Sequence, residues 1–437
     1  MDPVIIALIT VGLLVLAILF GVDVGVALGV MSFLGAWAVK GNSVIALRLL
    51  EITSFTACME YVLAVVPMFI LMGLFGNLSG ASDDVYDAAN LLFSKVRGGL
   101  GIATVIANAV FAAITGSSAA SAAVFSKIAY PQMKRLGYKK EFNLGTIVGS
   151  SVLGMLIPPS ALFIIYGYLT EQSIGKLFIA GVIPGIILTA IFCLGIWAMV
   201  TARPNLGGRR PDTSEMTSGA LLRAVTRPWI YAVLIFIVLG GIYLGWFTPT
   251  EAGAVGAFGA FVYCLVKGKV TSKSLWRLLL DAGYTVGSMF FLFIGAQMYS
   301  RMLALSTLPT AITEYVTSLE ISPFLVIVLF LLIYLILGAI LDSISILLIT
   351  TPIMFPIVVA LGFDPIWYGV IAVITIEMGL LTPPFGMCVF VMKSALGNEV
   401  TVVEGFRGAI PFLGMMLVCL FIVSLLPKLS TWLPSMM

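Results

Sequence analysis

The sequence predicts an all-α polytopic membrane protein built from two repeats of opposite orientation. Apolar residues make up 61% of the 437 residues, charged residues only 10%, and the mean hydropathy is +1.15. A soluble domain carries roughly 25% charged residues, so this composition indicates a chain that lies mostly in lipid. Two proline-broken apolar segments at matching places indicate the repeat, and the placement of basic loops indicates its inversion.

The repeat is visible at a separation of 225 residues. The run G-M-L-I-P-P-S begins at Gly154, and G-L-L-T-P-P-F begins at Gly379. The same separation aligns Ser118 with Ser343 and Ser117 with Asp342 in the other half. Interrupted hydrophobic segments in corresponding positions of two halves point to the binding site of a secondary transporter.

Apolar stretches near the roughly 20 residues that cross a bilayer occur about ten times along the chain. We place these full spans at 4–22, 24–39, 62–79, 144–170, 177–200, 229–247, 250–266, 284–303, 367–393 and 409–427. Two further apolar stretches, 98–130 and 322–357, have polar middles and are interpreted as re-entrant hairpins. A polar tip is tolerated at membrane depth only inside protein or a water-filled cavity. Two full spans in place of either hairpin is the open alternative.

Lysine and arginine residues cluster in three loops, at 127–140, 201–228 and 267–277. The excess of basic residues in cytoplasmic loops places all three in the cytoplasm. Counting spans back from the first loop puts the N-terminus outside and gives the first half an odd number of full spans. The second half is therefore inverted, its hairpin enters from outside, and the C-terminus is external.

We expect five segments with different roles. They are first-half scaffold spans with an interfacial helix (1–61), first-half transport elements (62–200), a cytoplasmic loop (201–228), second-half scaffold spans (229–283) and second-half transport elements (284–437). Each set of transport elements contains one hairpin and one proline-broken helix, at 144–170 or 367–393. The scaffold spans are rich in glycine, which suits close packing of fixed helices. The hairpins and broken helices should move past them as one body, an elevator.

The hairpin tips and helix breaks carry the oxygen atoms that a dehydrated cation needs. Proline pairs remove N–H donors and free carbonyl oxygens of the preceding turn, which cannot stay bare in hydrocarbon. Side-chain oxygens add hard ligands from Ser117, Ser118, Ser121, Asp342, Ser343, Ser345 and Thr382. Helix N-termini beyond the breaks favour a carboxylate or sulfonate. The structural alternative is that these hydroxyls bond to backbone and the prolines only kink helices.

Ionisable residues at membrane depth are functional candidates. Asp342 lies at a hairpin tip, where a carboxylate would strengthen a cation site. Glu377 either serves that site or caps a neighbouring break. Asp23 and Glu251 lie at equivalent span junctions, and we interpret them as structural residues that orient the scaffold turns.

Several function classes are excluded by what the sequence lacks. With no histidine, it has no H-E-x-x-H metalloprotease motif, no Ser-His protease pair and no histidine proton relay. It contains no G-x-x-x-x-G-K-[ST] motif, and its five cysteines are scattered singly without metal or disulfide spacing. We therefore expect a protein that is not an enzyme, holds no cofactor, and takes its energy from an ion gradient or a partner.

Four motifs, in order, resemble one family over essentially the whole chain. They are G-S-S-A-A-S at 116–121, G-M-L-I-P-P-S at 154–160, G-F-D-P-I-W at 362–367 and E-M-G-L-L-T-P-P-F-G at 377–386. Together they resemble the large membrane subunit of tripartite ATP-independent periplasmic (TRAP) transporters. The resemblance implies a bacterial inner-membrane elevator that uses a Na+ gradient to import an organic acid anion. It also implies two partners, a small four-span membrane subunit and a periplasmic binding protein that delivers substrate.

The resemblance further implies where Na+ binds. The Na+ sites of the family carry over to Ser117, Ser118, Gly154, Pro158, Asp342, Ser343, Gly379 and Thr382. Candidate substrate contacts are Ser121, Ser160, Ser345 and Pro384. One departure is that Met387-Cys388 follows the second break, where the family often has Leu-Asn, so no polar contact is implied at position 388.

Two alternatives stay open. A stand-alone Na+-coupled symporter of the divalent-anion or citrate type shares the hairpins and broken helices but functions without a binding protein. A channel would need a continuous polar path instead of two tips that close on a midplane site. Co-purification of a small membrane protein would distinguish a TRAP subunit from the stand-alone symporter. Saturable, Na+-dependent flux would exclude the channel.

Overall fold

The computed structural model describes residues 2–209 and 226–437, and this part of the chain is built from helices without a β-strand. Arg210 and Arg223, two of the basic residues predicted to make the loop 201–228 cytoplasmic, lie outside the described residues. The all-helical prediction is confirmed for the part that is described.

The same order of helices occurs in both halves. The helices of the first half are Pro3–Leu19, Val24–Lys40, Ser43–Met59, Val65–Leu78, Ala81–Phe93, Gly99–Thr115, Ser118–Arg135, Lys140–Ser151, Leu153–Leu156, Ala161–Thr170 and Ile174–Ala202. Those of the second half are Trp229–Tyr243, Pro249–Val266, Ser272–Ser306, Leu308–Ser318, Pro323–Gly338, Ser343–Ala360, Pro365–Gly379, Met387–Leu396, Val402–Leu425 and Lys428–Thr431. Each half thus runs from a helix pair through a hairpin and a broken helix to a long helix, Ile174–Ala202 or Val402–Leu425, which in the second half is followed by the short Lys428–Thr431.

Seven helices in the described ranges are long and apolar enough to cross a membrane. They are Tyr61–Leu78, Lys140–Thr170, Ile174–Ala202, Pro249–Val266, Ser272–Ser306, Ser343–Ala360 and Val402–Leu425. Four predicted spans, 4–22, 24–39, 229–247 and 367–393, correspond to shorter apolar helices of up to 17 residues, and the seventh long helix, Ser343–Ala360, is an arm of the predicted hairpin 322–357. This establishes a polytopic membrane protein, while the number of ten spans stays a prediction. The predicted span 284–303 is part of a continuous helix of 35 residues, longer than a bilayer requires.

Both hairpin tips are shaped by local residue chemistry. In the first hairpin (Gly99–Thr115 and Ser118–Arg135), Gly116 ends the first helix with φ +60°, which glycine adopts without a Cβ clash. Ser117 then caps the second helix, because its Oγ accepts a hydrogen bond from the Ala120 N–H at 3.3 Å. In the second hairpin (Pro323–Gly338 and Ser343–Ala360), Asp342 takes the capping position. A glycine directly followed by a cap builds the first turn, whereas in the second Ala339, Ile340 and Leu341 separate the end of Pro323–Gly338 from the cap.

The two broken helices are interrupted at their proline pairs. The first, Lys140–Thr170, loses helical structure between Ile157 and Ser160 and resumes at Ala161. The second separates into Pro365–Gly379 and Met387–Leu396. Because proline lacks an N–H and clashes with the preceding turn, neither pair can continue a helix. The predicted breaks are therefore present in both halves.

Glycines bring each helix pair predicted to be scaffold against a helix of the opposite half. A Cβ atom at Gly295, on Ser272–Ser306, would lie 2.9 Å from the Gly25 carbonyl oxygen. A Cβ atom at Gly256, on Pro249–Val266, would lie 2.4 Å from Sδ of Met72 on Val65–Leu78. Small residues let membrane helices approach this closely. The helices at 62–79 and 284–303, grouped by sequence with the transport elements, thus pack against the helix pairs predicted to be scaffold.

Among residues 2–209 and 226–437, three ion pairs join the two halves: Lys134–Glu399 at 2.7 Å, Lys140–Glu404 at 2.9 Å and Lys267–Asp84 at 2.6 Å. The topology predicted from the basic residues puts all six side chains on the cytoplasmic side. Two members of an ion pair must lie on the same side of a bilayer. The contacts are therefore consistent with the predicted inversion, which places residues from both halves together.

The predicted topology can be tested by labelling from outside intact cells. In a variant without native cysteines, a reporter cysteine at Met437 should react with a membrane-impermeant maleimide, because the C-terminus is predicted to be external. A reporter at Gly208 should react only after the membrane is opened, because it lies in the basic loop. Labelling of Gly208 and protection of Met437 would overturn the inverted topology.

Candidate functional site

The two hairpin tips meet at one cavity of about 500 Å³. The first tip contributes Ser117 and Ser118, and the second contributes Asp342, Ser343 and Ser345. Four of them form two pairs 225 positions apart, Ser117 with Asp342 and Ser118 with Ser343, so the repeat brings equivalent oxygens to the same place. The structure thus brings together the tip residues that the sequence singled out in both halves.

Two further hydroxyls and a carboxylate complete the polar wall. Thr285 and Ser288 face the cavity from the helix Ser272–Ser306, and Asp23 lies beside them. Asp23 also caps its own helix, since its Oδ1 accepts from the Gly25 N–H at 2.9 Å. Sequence reasoning missed Thr285 and Ser288. Their spacing of three residues, which places both on one helix face inside an apolar run, was the available signal.

Glu377 connects the two tips. It lies on Pro365–Gly379 and is only 1% exposed. Its Oε2 accepts a hydrogen bond from Oγ of Ser118 at 2.5 Å, and its Oε1 accepts one from Oγ of Ser343 at 3.1 Å. Of the two roles left open by the sequence, the structure supports contact with the tips rather than capping of a break.

The carboxylate of Asp342 organises the second tip. It accepts hydrogen bonds from the backbone N–H groups of Ile344 and Ser345, each at 3.1 Å, and from the Ser345 hydroxyl. It therefore fixes the N-terminus of Ser343–Ala360 next to the cavity. The helix Ser118–Arg135 starts at the same cavity from the other half. Two helix N-termini there favour an anionic group.

Each hairpin tip packs against the broken helix of its own half. A Cβ atom at Gly154 would lie 2.7 Å from the Ser117 carbonyl oxygen, so only glycine permits this contact. In the second half, the Phe385 N–H donates to the Ala339 carbonyl oxygen at 3.0 Å. A Cβ atom at Gly379 would lie 2.4 Å from the Gly338 Cα. Glycine at 154 and 379 thus lets the hairpin and broken helix pack as one unit.

The remaining predicted ligands lie at the breaks. The Thr382 hydroxyl donates to the Gly379 carbonyl oxygen at 2.8 Å, and Pro158 is buried. Of the four candidate substrate contacts, only Ser345 lines the cavity. The Ser160 hydroxyl donates to the Met155 carbonyl, and Pro384 is exposed. Ser121 is buried, and its hydroxyl has no hydrogen-bond partner among the described residues.

The charged side chains that line the cavity are acidic. Among the described residues, its lining includes the carboxylates of Asp23 and Asp342 but no lysine or arginine. Helix N-termini are then the positive groups that the protein itself offers to an anion. Carboxylate, hydroxyl and carbonyl oxygens are hard ligands, which suit a small hard cation.

Comparison with known proteins identifies the family. The family model described as "Tripartite ATP-independent periplasmic transporter, DctM component" matches residues 11–429. The chain belongs to this family. It is 36% identical over 391 residues to the C4-dicarboxylate TRAP transporter large permease protein DctM of Pseudomonas aeruginosa, over 89% of this chain and 90% of that protein. The resemblance inferred from the four motifs is confirmed, and this TRAP large permease is a multi-pass membrane protein.

A second relative and a solved structure extend the comparison. The isethionate TRAP transporter permease protein DctMQ of Oleidesulfovibrio alaskensis is 28% identical over 419 residues, which are 96% of this chain and 65% of that protein. The structure of MtrF from Neisseria gonorrhoeae, of a class of antimetabolite efflux pumps, matches with a TM-score of 0.61 at 12% identity. It covers 98% of this chain and 95% of that chain. At this identity the likeness shows only that the TRAP large permease shares that fold.

Proposed function

We propose that this TRAP large permease is the Na+-coupled importer subunit for an organic acid anion in the bacterial inner membrane. The observation that carries the proposal is the convergence of both tips on one cavity with acidic and hydroxyl groups but no basic side chain in its described lining. An anion could enter such a cavity only with compensating positive charge. Bound cations would supply that charge together with the helix N-termini.

The cation sites are proposed at the residues predicted from the sequence. Ser117, Ser118 and Gly154 would serve one site, and Asp342 and Ser343 would serve the other, each next to its own break. Pro158, Gly379 and Thr382 would complete them, with the breaks supplying carbonyl oxygens. These groups match the hard-oxygen preference of a dehydrated Na+. The symmetry of the tips supports at least two cations.

The substrate is proposed to carry a carboxylate or sulfonate. The relatives whose names specify C4-dicarboxylate and isethionate support this class. A helix N-terminus can hydrogen-bond the oxygens of either group through the N–H donors that its cap leaves free, and at Ser343–Ala360 the Asp342 carboxylate already accepts from Ile344 and Ser345. Ser345 lines the cavity at such a terminus and is the best placed of the predicted substrate contacts.

Two partners are proposed, a small four-span membrane subunit and a periplasmic binding protein that delivers the anion. The word tripartite in the family description supports a transporter of three components. The longer relative named DctMQ supports a second membrane part, because it extends well beyond the region matched by this chain.

An elevator mechanism is proposed, with a boundary adjusted to the packing. The hairpins, broken helices and long final helices would form the moving body. The helices Val65–Leu78 and Ser272–Ser306 would stay with the scaffold, since they pack tightly against its glycines. Keeping tips and breaks together preserves the ligand oxygens while a dehydrated ion crosses.

Sodium dependence of uptake is the experiment that tests this function. In liposomes containing both membrane subunits, with the binding protein loaded with a C4-dicarboxylate or isethionate, uptake should rise with external Na+ with a Hill coefficient above one. Two symmetric cation sites are the reason. Equal uptake after replacement of Na+ by K+ at fixed pH would overturn the proposal. Full uptake without partner proteins would instead favour the stand-alone symporter.

A further inference from the structure

We propose that Glu377 is a positioning residue that orients the hydroxyls of Ser118 and Ser343 toward two cation sites at once. The inference rests on the Na+-coupled function proposed above and adds a residue to it. Both carboxylate oxygens are used, one for each hairpin, at 2.5 Å and 3.1 Å. With 1% exposure, Glu377 makes these contacts in a site closed to bulk water.

Both halves of the repeat contain the serine hydroxyl, but only the second half contains the glutamate carboxylate. Ser118 and Ser343 are equivalent at the separation of 225 residues, whereas the position equivalent to Glu377 is Val152. Val152 is fully buried and has no polar side-chain atom. Two equivalent serine hydroxyls therefore donate to one carboxylate that has no equivalent in the first half. A change in the hydrogen bond at one tip then affects the hydrogen bond at the other tip through Glu377.

Hydroxyl chemistry explains why such an acceptor would help bind cations. A serine hydroxyl has one proton and two acceptor lone pairs. When the proton of Ser118 or Ser343 points at Glu377, the lone pairs remain for a cation. Without that acceptor the hydroxyl can rotate, and its proton can point into the site, where it opposes a positive charge. Glu377 would thus prepare both hydroxyls before the cations arrive.

Glu377→Gln separates this role from simple packing. Glutamine has nearly the same shape, but its amide offers only one acceptor oxygen, and its nitrogen is a donor. One hydroxyl would keep its orientation, and the other would have to offer a lone pair to the amide. We expect the Na+ concentration for half-maximal effect to rise about tenfold, as for loss of a charged hydrogen bond, and the Hill coefficient to fall toward one.

The measurement is the melting temperature of the purified full-length chain across a Na+ series, with K+ holding the ionic strength constant. Uptake in liposomes gives the parallel functional curve. Thr375→Val is the matched control, because Thr375 is buried on the same helix and its hydroxyl bonds only to the Ile371 carbonyl, at 2.8 Å. The control should keep the Na+ dependence of the wild type.

A double-mutant cycle covers the case in which Glu377→Gln does not fold. Ser118→Ala and Ser343→Ala should have non-additive effects on Na+ affinity, because the two hydroxyls share one carboxylate. Additive effects would overturn the proposal. The same conclusion follows if Glu377→Gln lowers the melting temperature in K+ but leaves the Na+ dependence unchanged, since its role would then be purely structural.

Failure of the underlying function has a different signature. If the wild type shows the same melting temperature and uptake in Na+ and in K+, the sodium coupling is wrong and this role of Glu377 is overturned with it. If the wild type responds to Na+ and Glu377→Gln responds identically, only the role of Glu377 is overturned.

Discussion

Uptake should be lost when Asp342 is replaced by alanine, although the protein still inserts into the membrane. The Asp342 carboxylate lines the cavity and holds the N-terminus of Ser343–Ala360 through the N–H groups of Ile344 and Ser345. Removing it deletes a charged oxygen ligand from the proposed cation site. We expect a loss of roughly a hundredfold or more in Na+-driven uptake, measured in liposomes at matched protein content.

Two further variants separate the charge of Asp342 from its capping role. Asp342→Asn keeps a good helix cap but removes the charge, so it should also fail to transport. Asp364→Ala removes a similar cap away from the cavity, where Oδ1 accepts from the N–H groups of Ile366 and Trp367 at 2.8 and 3.0 Å. It should cost about 1 kcal/mol of stability and retain uptake. Normal transport by Asp342→Asn would reduce Asp342 to a structural cap.

The tips and breaks could be predicted from sequence because their causes are local. A proline pair stops a helix by itself, and a glycine followed by serine ends one helix and caps the next within three residues, as at Gly116 and Ser117. Asp23 is likewise a local cap, and Glu251 forms a capping box with the cap residue Thr248. Such features need no knowledge of distant residues.

The contacts of Glu377 could not be predicted in the same way. Ser118 and Glu377 are 259 residues apart, and no periodicity or spacing connects them. The repeat also gave no help, since Val152 occupies the equivalent place. Whether a hydroxyl in a membrane helix faces a binding site or bonds to backbone also depends on residues far away in the sequence. Ser345, at a hairpin tip, faces the cavity, whereas Ser160, next to the first break, bonds to backbone.

The boundary between the proposed scaffold and the proposed moving body could not be predicted from the sequence either. Hydropathy identified 284–303 as a span but not the helix Ser272–Ser306 that contains it, because the first turns are more polar. Which helices a span packs against is decided by close contacts such as those of Gly256 with Met72. These contacts join the halves, so the order of segments along the chain does not give the boundary of the moving body.

A cross-link between the scaffold and a hairpin should stop transport if the protein is an elevator. Gly73, on Val65–Leu78, touches the end of the first hairpin, since a Cβ atom there would lie 3.0 Å from the Thr115 Cα. A disulfide between Gly73→Cys and Thr115→Cys would tie the proposed moving body to the scaffold. We expect uptake to fall to background on oxidation and to return on reduction, while Na+ still raises the melting temperature because the binding site is intact.

The matched control is a disulfide within the moving body. A Cβ atom at Gly195 would lie 3.3 Å from Cγ of Met415, so Gly195→Cys and Met415→Cys should cross-link the long final helices of the two halves. Uptake should survive this cross-link, because both helices are proposed to travel together. Both pairs are made after replacement of the native cysteines, Cys58, Cys193, Cys264, Cys388 and Cys419. Unchanged uptake with the first pair fully oxidised would show that the tip and Val65–Leu78 move together, and the scaffold assignment would be wrong.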